Sequence, residues 1–297
     1  MKRYQRSDLI GIGLRPHHYE EWIRRPPIEK AYLEAISDSY LYHIGGPSLY
    51  FLHQIRERYP ILLHGVGLNL GSVDPIDRDY LSRIKNLRES FNASIVSDHL
   101  SFSSIKGKNT HSLLPLPRSL KTISLIKPKI HAVQETLNYQ LTIENISRYM
   151  SFHHDEMSEI EFLSEMTAGT GAAILLDVNN LYVTCKNEGT DPWDEIEKIG
   201  SLSVNQYHIA GHRQEKNYLY DTHSGSVHPT VWRLLERAME LAGTAPIILE
   251  RDDHEPLSVT VENWCEDPKY RQQKTSEFGQ DADISGGSKP VSSGYAL

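Results

Sequence analysis

The run A-A-I-L-L-D-V-N, residues 172–179, followed by Asn180, is a short apolar stretch closed by an acid and amides. A strand covered on both faces reads as such an uninterrupted apolar run, bounded by turn residues rather than alternating with polar ones. Seven others share its form: L-I-G-I-G-L-R (9–15), A-Y-L-E-A-I-S (31–37), I-L-L-H-G-V-G-L (61–68), A-S-I-V-S-D-H-L (93–100), Q-L-T-I-E-N-I (140–146), V-N-Q-Y-H-I-A-G (204–211) and P-I-I-L-E-R-D (246–252). Between most of them lie segments with helical spacing, among them residues 80–91, 159–166 and 230–242. Strand–helix alternation repeated eight times predicts an α/β fold, a (β/α)8 TIM barrel, over residues 1–265. The closing helix is weakly written, in L-S-V-T-V-E-N-W-C (257–265). Residues 266–297 are polar and rich in Gly and Ser, which predicts a flexible tail.

Composition narrows the function classes. Of 297 residues, 39% are hydrophobic and 24% charged, ordinary globular usage. A net charge of −8 has the wrong sign for a protein that binds phosphate backbones, so nucleic acid is not an expected partner. No apolar run approaches the ~20 residues of a bilayer crossing, so no membrane partner is expected either. The N-terminus has no apolar core of a secretory signal. Cys185 and Cys265 lie 80 residues apart with no C-x-x-C partner, which suits a reducing, cytoplasmic compartment and excludes a cysteine-built zinc site. The 15 histidines point instead to metal or acid–base chemistry.

In a barrel of this kind the carboxyl ends of the strands form the active face. Those ends carry His64 on the third strand, Asp98 and His99 on the fourth, and Glu144 and Asn145 on the fifth. The sixth brings Asp177, Asn179 and Asn180, the seventh His208 and His212, and the eighth Glu250 and Asp252. Asp221 and His223, one residue apart, follow the seventh strand. One buried acid or histidine is commonly a satisfied structural residue. Six consecutive strands delivering such groups to one rim would repel and desolvate each other unless cations compensate. Carboxylates and imidazoles without thiolate suit iron, manganese or zinc, and the number of candidates suits two or three ions bridged by carboxylate. The glycines of L-L-H-G-V-G-L-N-L-G-S (62–72) match no phosphate-binding pattern and are expected to let the backbone pass close beside His64. His17 and His18 are expected to be solvated, His153 and His154 to lie at the surface, and His228 to start a helix.

At these residues the chain resembles the multinuclear non-haem iron-dependent oxidases of the MbnB-like, methanobactin biosynthesis type. The resemblance runs in order through residues 10–256: G-I-G-L-R-P-H-H-Y-E (11–20), the 62–72 stretch, V-S-D-H-L-S-F (96–102), L-L-P-L-P (113–117), I-E-N-I-S-R-Y (143–149), L-L-D-V-N-N-L-Y-V (175–183), H-I-A-G-H (208–212), D-T-H (221–223) and L-E-R-D-D-H-E-P (249–256). It implies a barrel with two or three iron ions (Fe2+/Fe3+) at its mouth. His64, His99 and Glu144 would hold one, and Glu144, Asp177, His208 and Glu250 a second, with Glu144 bridging. Asn180, Asp221 and His223 would build a third. Asp98 and His212 would orient ligands or face the substrate, and are the expected catalytic residues. The implied activity is oxidation, at cysteine or another residue, of a ribosomally made precursor peptide with dioxygen as co-substrate, the peptide being presented by a small partner protein. The rival enzymes are a trinuclear-zinc apurinic-type endonuclease, which places a histidine where this chain has Asn180, and a divalent-metal sugar isomerase, which lacks the D-T-H pair. A metal- or peptide-binding scaffold is the non-enzymatic alternative.

Overall fold

The computed structural model describes residues 6–42 and 45–264. Its strands are β1 (Ile10–Gly13), β2 (Tyr32–Ile36), β3 (Ile61–Gly65), β4 (Val96–His99), β5 (Phe102–Ile105), β6 (Lys108–Leu114), β7 (Thr142–Glu144), β8 (Ala173–Asp177), β9 (Val204–Ala210), β10 (His212–Gln214), β11 (Leu219–Asp221) and β12 (Ile247–Glu250). Eight of them close a barrel in the order β1-β12-β9-β8-β7-β4-β3-β2, every pairing parallel. Each lies inside one of the eight apolar runs. The helices are α1 (Tyr19–Arg24), α2 (Pro47–Arg56), α3 (Arg78–Phe91), α4 (Leu120–Leu137), α5 (Glu159–Thr167), α6 (Val178–Glu188), α7 (Pro192–Ile196), α8 (Pro229–Ala242) and α9 (Leu257–Trp264). Their apolar faces cover the barrel: Ile126, Ile130 and Val133 of α4 and Val231, Leu234 and Leu235 of α8 are fully buried. No helix among the described residues is long and apolar enough to cross a membrane.

Register places the polar ends. His64 is level with Ser97, His99 with Glu144, and Asp177 with His208, so adjacent strands deliver their terminal side chains at one height. The sixth strand stops two residues earlier than its sequence run, because Asp177 is also the N-cap of α6, its carboxylate accepting from Asn180 N at 2.7 Å. A glycine is required next to His64: a Cβ on Gly65 would collide with the Asp98 carboxylate, and one on Gly67 would stand 2.7 Å from the Tyr80 ring.

The weakly written closing segment is helical. Leu257 and Trp264 of α9 are fully buried, and Trp264 packs edge-on against Trp232 of α8 with ring centroids 5.6 Å apart. The hairpins β5–β6 and β10–β11 were not legible, since short exposed strands carry little apolar patterning. The tail expected at 266–297 lies outside the described residues.

Outside the barrel mouth a buried ionic cluster joins the start of α4 and the loop after β7 to α5 and α6. Arg118 reaches Glu188 at 2.8 Å and Glu159 at 3.5 Å, and Arg148 reaches Asp155 at 2.8 Å. Burial, opposed by the two arginines, holds the Glu159 carboxyl up at about 6. A raised carboxyl favours the fold while protonated, so this contribution is present below the unfolded value near 4.5 and lost as pH rises through about 6. Relative to Glu159→Gln, the wild type is expected to lose about 2 kcal/mol of unfolding free energy between pH 4 and pH 8. Urea unfolding at both pH values checks this, and parallel profiles would refute it.

Candidate metal centre

Two groups of ligand atoms meet at the barrel mouth: His64, His99 and Glu144, and Glu144, Asp177, His208 and Glu250, the atoms of each group lying within 4.8 Å of one another. Glu144 belongs to both. Its Oε2 stands 3.2 Å from His64 Nε2 and 3.1 Å from His99 Nε2, and these two nitrogens are 3.3 Å apart. Its Oε1 turns the other way, 3.3 Å from His208 Nδ1, which is in turn 3.2 Å from Glu250 Oε2.

The imidazoles are oriented from behind. His99 Nδ1 donates to the Gly65 carbonyl at 3.0 Å. The Ser97 hydroxyl donates onward to the Leu63 carbonyl at 3.3 Å and so accepts from His64 Nδ1 at 2.8 Å. Both Nε2 lone pairs are thereby left pointing at Glu144 Oε2. Ligands about 2.1 Å from one ion stand about 3.0 Å apart across a right angle and about 3.4 Å apart across a tetrahedral one. The three spacings of 3.1, 3.2 and 3.3 Å fall between those limits. Glu144 Oε2, Asp177 Oδ2, Asn180 Oδ1 and His208 Nδ1 are buried without a hydrogen-bond partner, whereas buried polar atoms are nearly always satisfied. The donor set therefore fits cations bound between these atoms.

The same charges shift the protonation of the groups around them. Burial alone would lower His64, but Glu144 and Glu34 outweigh it and hold the ring up at about 9. His208 and His223 rise for the same reason against Glu34 and Glu250 respectively. His99 is lowered, by burial first and then by its neighbour His64. Burial and the nearby Glu144, Asp221 and Glu250 push Asp177 well up, while Glu144 and Glu250 are held down, against burial, by the surrounding imidazoles.

The remaining expected residues are placed as follows. Asp221 Oδ2 is 3.1 Å from His223 Nε2, and His223 Nδ1 is 3.5 Å from Glu250 Oε2, which ties this pair to the four-residue group. Asp252 joins it, 3.4 Å from His223 Nδ1. Asn180 donates from Nδ2 to the Asn145 carbonyl at 3.0 Å, leaving its Oδ1 unpartnered. It is Asn179 that contacts Asp221, donating to Oδ1 at 2.9 Å while its own Oδ1 accepts from His212 Nδ1 at 2.7 Å. Asp98 faces the loop after β3: it accepts from Leu68 N at 3.0 Å, from His99 N at 2.8 Å and from the Tyr80 hydroxyl at 3.4 Å. Burial and then Asp38 raise its carboxyl to about 7.

Among the other histidines, His153 and His154 are exposed, and His228 caps α8 by accepting from Thr230 N at 3.2 Å. His18 departs from expectation. It is buried, with Nε2 donating to the Glu255 carbonyl at 2.9 Å, because Arg15 pairs with Asp252 and draws the first loop against the last. Glu34 and Gln206 were missed. Both are buried, both reach His208, and the available signal was an acid in the middle of the apolar run 31–37.

Residues 9–270 match the family model described as RiPP precursor modification enzyme MbnB/TglH/ChrH, RiPPs being ribosomally made and post-translationally modified peptides. A UPF0276 protein of Caulobacter vibrioides is 39% identical over 254 residues, covering 85% of this chain and 90% of that one. Another, from Rhizorhabdus wittichii, is 41% identical over 249 residues, covering 84% and 89%. Among solved structures, the 3-keto-D-glucoside 4-epimerase YcjR from E. coli superposes with a TM-score of 0.56 at 13% identity, over 89% of this chain and 99% of that one. A D-psicose 3-epimerase superposes with the same score at 12% identity, over 90% and 98%. At such identities the epimerases share the fold alone.

Proposed function

The chain belongs to the MbnB/TglH/ChrH family of RiPP precursor modification enzymes, and from that membership we propose that it is a multinuclear non-haem iron oxidase acting with dioxygen on a precursor peptide, at cysteine. The observation that carries the reading is the Glu144 carboxylate, one oxygen turned to His64 and His99 and the other to His208. A carboxylate used this way serves two ions at once, and nitrogen and oxygen donors without thiolate suit iron. When bound, iron supplies the electrons that dioxygen activation needs and that side chains lack.

The residues divide the work by position. His64, His99 and Glu144 would hold one iron, and Glu144, Asp177, His208 and Glu250 a second. Asn180, Asp221 and His223 would hold a third, with the unpartnered Asn180 Oδ1 as its amide donor. Ser97 and the Gly65 carbonyl fix the two imidazoles of the first group. His212 bears on Asp221 through Asn179, which takes one hydrogen bond from the first and gives one to the second. The strand-borne ligands are buried apart from the half-buried His99, which keeps bulk water from competing for them. A small partner protein that presents the peptide, and a cytoplasmic location, belong to the same reading.

Protein purified anaerobically is expected to carry two to three irons per chain and to consume oxygen when given the precursor peptide. Metal analysis and an oxygen electrode check both. Stoichiometric zinc without iron would instead indicate hydrolytic chemistry, and no oxygen uptake would indicate a binding scaffold.

A further inference from the structure

Glu34 lies in mid-strand in β2, inside the barrel, where an acid has no packing role to fill. It is 1% exposed, and Gln206 and His208 beside it are fully buried. Its Oε2 accepts from Gln206 Nε2 and, at 3.1 Å, from His208 Nε2. The other carboxylate oxygen is also 3.1 Å from that ring nitrogen. Gln206 Nε2 also lies 2.9 Å from His208 Nε2, and with both nitrogens donating to the Glu34 carboxylate the lone pair of Nδ1 is turned toward Glu144 and Glu250. The imidazoles of the other group have weaker acceptors behind them: a hydroxyl for His64 and a backbone carbonyl for His99. Only one histidine among these three is backed by a carboxylate.

We propose that Glu34 is a positioning residue for His208, and that it makes the two ion sites unequal in favour of the four-residue one. A carboxylate behind an imidazole fixes the ring's tautomer and orientation and raises its basicity as a ligand. Gln206 holds the carboxylate in place by donating to the oxygen that His208 shares. The four-residue group already holds Asp177 and Glu250 as acids of its own, whereas the three-residue group has Glu144 alone. The charge of Glu34 adds to that imbalance from beneath. The inference rests on the proposed metal reading only in requiring that the two groups take up metal; it does not depend on iron or on the peptide.

The test is an anaerobic titration of the full-length chain with Co2+ as probe, read by absorbance and by chelator competition. The wild type is expected to show a tight and a weaker site. Glu34→Gln keeps the side-chain shape and removes the charge, and is expected to weaken the tight site by about 10–100-fold and the weaker one by a smaller factor, since Glu34 touches only His208 but its charge also reaches His64. The same loss is expected when Glu34→Gln is introduced beside His99→Ala, where the four-residue group is left to bind alone. Glu34→Asp retains the charge one methylene further back and is expected to give an intermediate affinity; it is read in the same way should Glu34→Gln fail to fold. Equal Co2+ affinities at both sites in the wild type and either variant would overturn the role of Glu34. A wild type that takes up no Co2+ would overturn the metal reading itself, a separate result.

Discussion

Glu144→Gln is expected to empty both ligand groups in one substitution. Each of the other five residues of the two groups serves a single group, but Glu144 turns one oxygen to each. Replacing that carboxylate by an amide removes the shared negative charge and brings an N–H toward two imidazole lone pairs or toward His208 Nδ1. Loss of a residue that merely orients a ligand typically costs 10–100-fold in metal affinity. Loss of a ligand common to both groups is expected to exceed about 100-fold at each, with turnover falling to background. The fold should survive, since the metal-free mouth already carries excess acid. Metal content after desalting, oxygen uptake and thermal unfolding of the same sample check the three parts. Retention of stoichiometric metal at either group would contradict the bridging role.

Asn145→Leu is expected to produce the largest loss of stability for a change of similar size. β7 ends at Glu144, so the last residue of β8 has no backbone partner on that side. The side chain of Asn145 takes the missing place: Oδ1 accepts from Asp177 N at 2.9 Å and Nδ2 donates to the Asp177 carbonyl at 3.0 Å. Leucine fills the volume and answers neither group. The Asp177 carbonyl keeps the first bond of α6, so the N–H is the group left unpaired, at a cost of roughly 1–3 kcal/mol. A typical domain has only about 5–15 kcal/mol in total. Urea denaturation of the metal-free protein measures this directly, and a change under about 1 kcal/mol would refute it.

The barrel was legible because parallel strands covered on both faces leave continuous apolar runs, and because, Glu34 apart, acids and imidazoles interrupted those runs toward their carboxyl ends. His64, His99, Glu144, Asp177, His208 and Glu250 could be read as one set for that reason, and the structure brings them to one rim. Glu34 was passed over because it stands in the middle of its run, where strand-end reasoning does not look. Asn179 was legible as a polar strand end but not as the link between His212 and Asp221, since its contact with Asp221 spans 42 residues and is set by α6 starting directly after Asp177. The burial of His18 was equally out of reach, depending on Glu255 at the far end of the chain.

His223 is the one ligand candidate held in a left-handed backbone, at φ 47°. A non-glycine residue gains nothing locally from that conformation, although histidine tolerates it better than most. What secures it is contact with Asp221, Glu250 and Asp252, and the bond from Asp252 N to its carbonyl at 2.8 Å. The mouth thus draws its ligands from two places: the barrel strands, and the end of the β10–β11 hairpin, where an uncommon backbone at His223 is held by the contacts it makes. Assembly of the centre would run from the barrel wall outward, with the D-T-H corner seated last and unseated first.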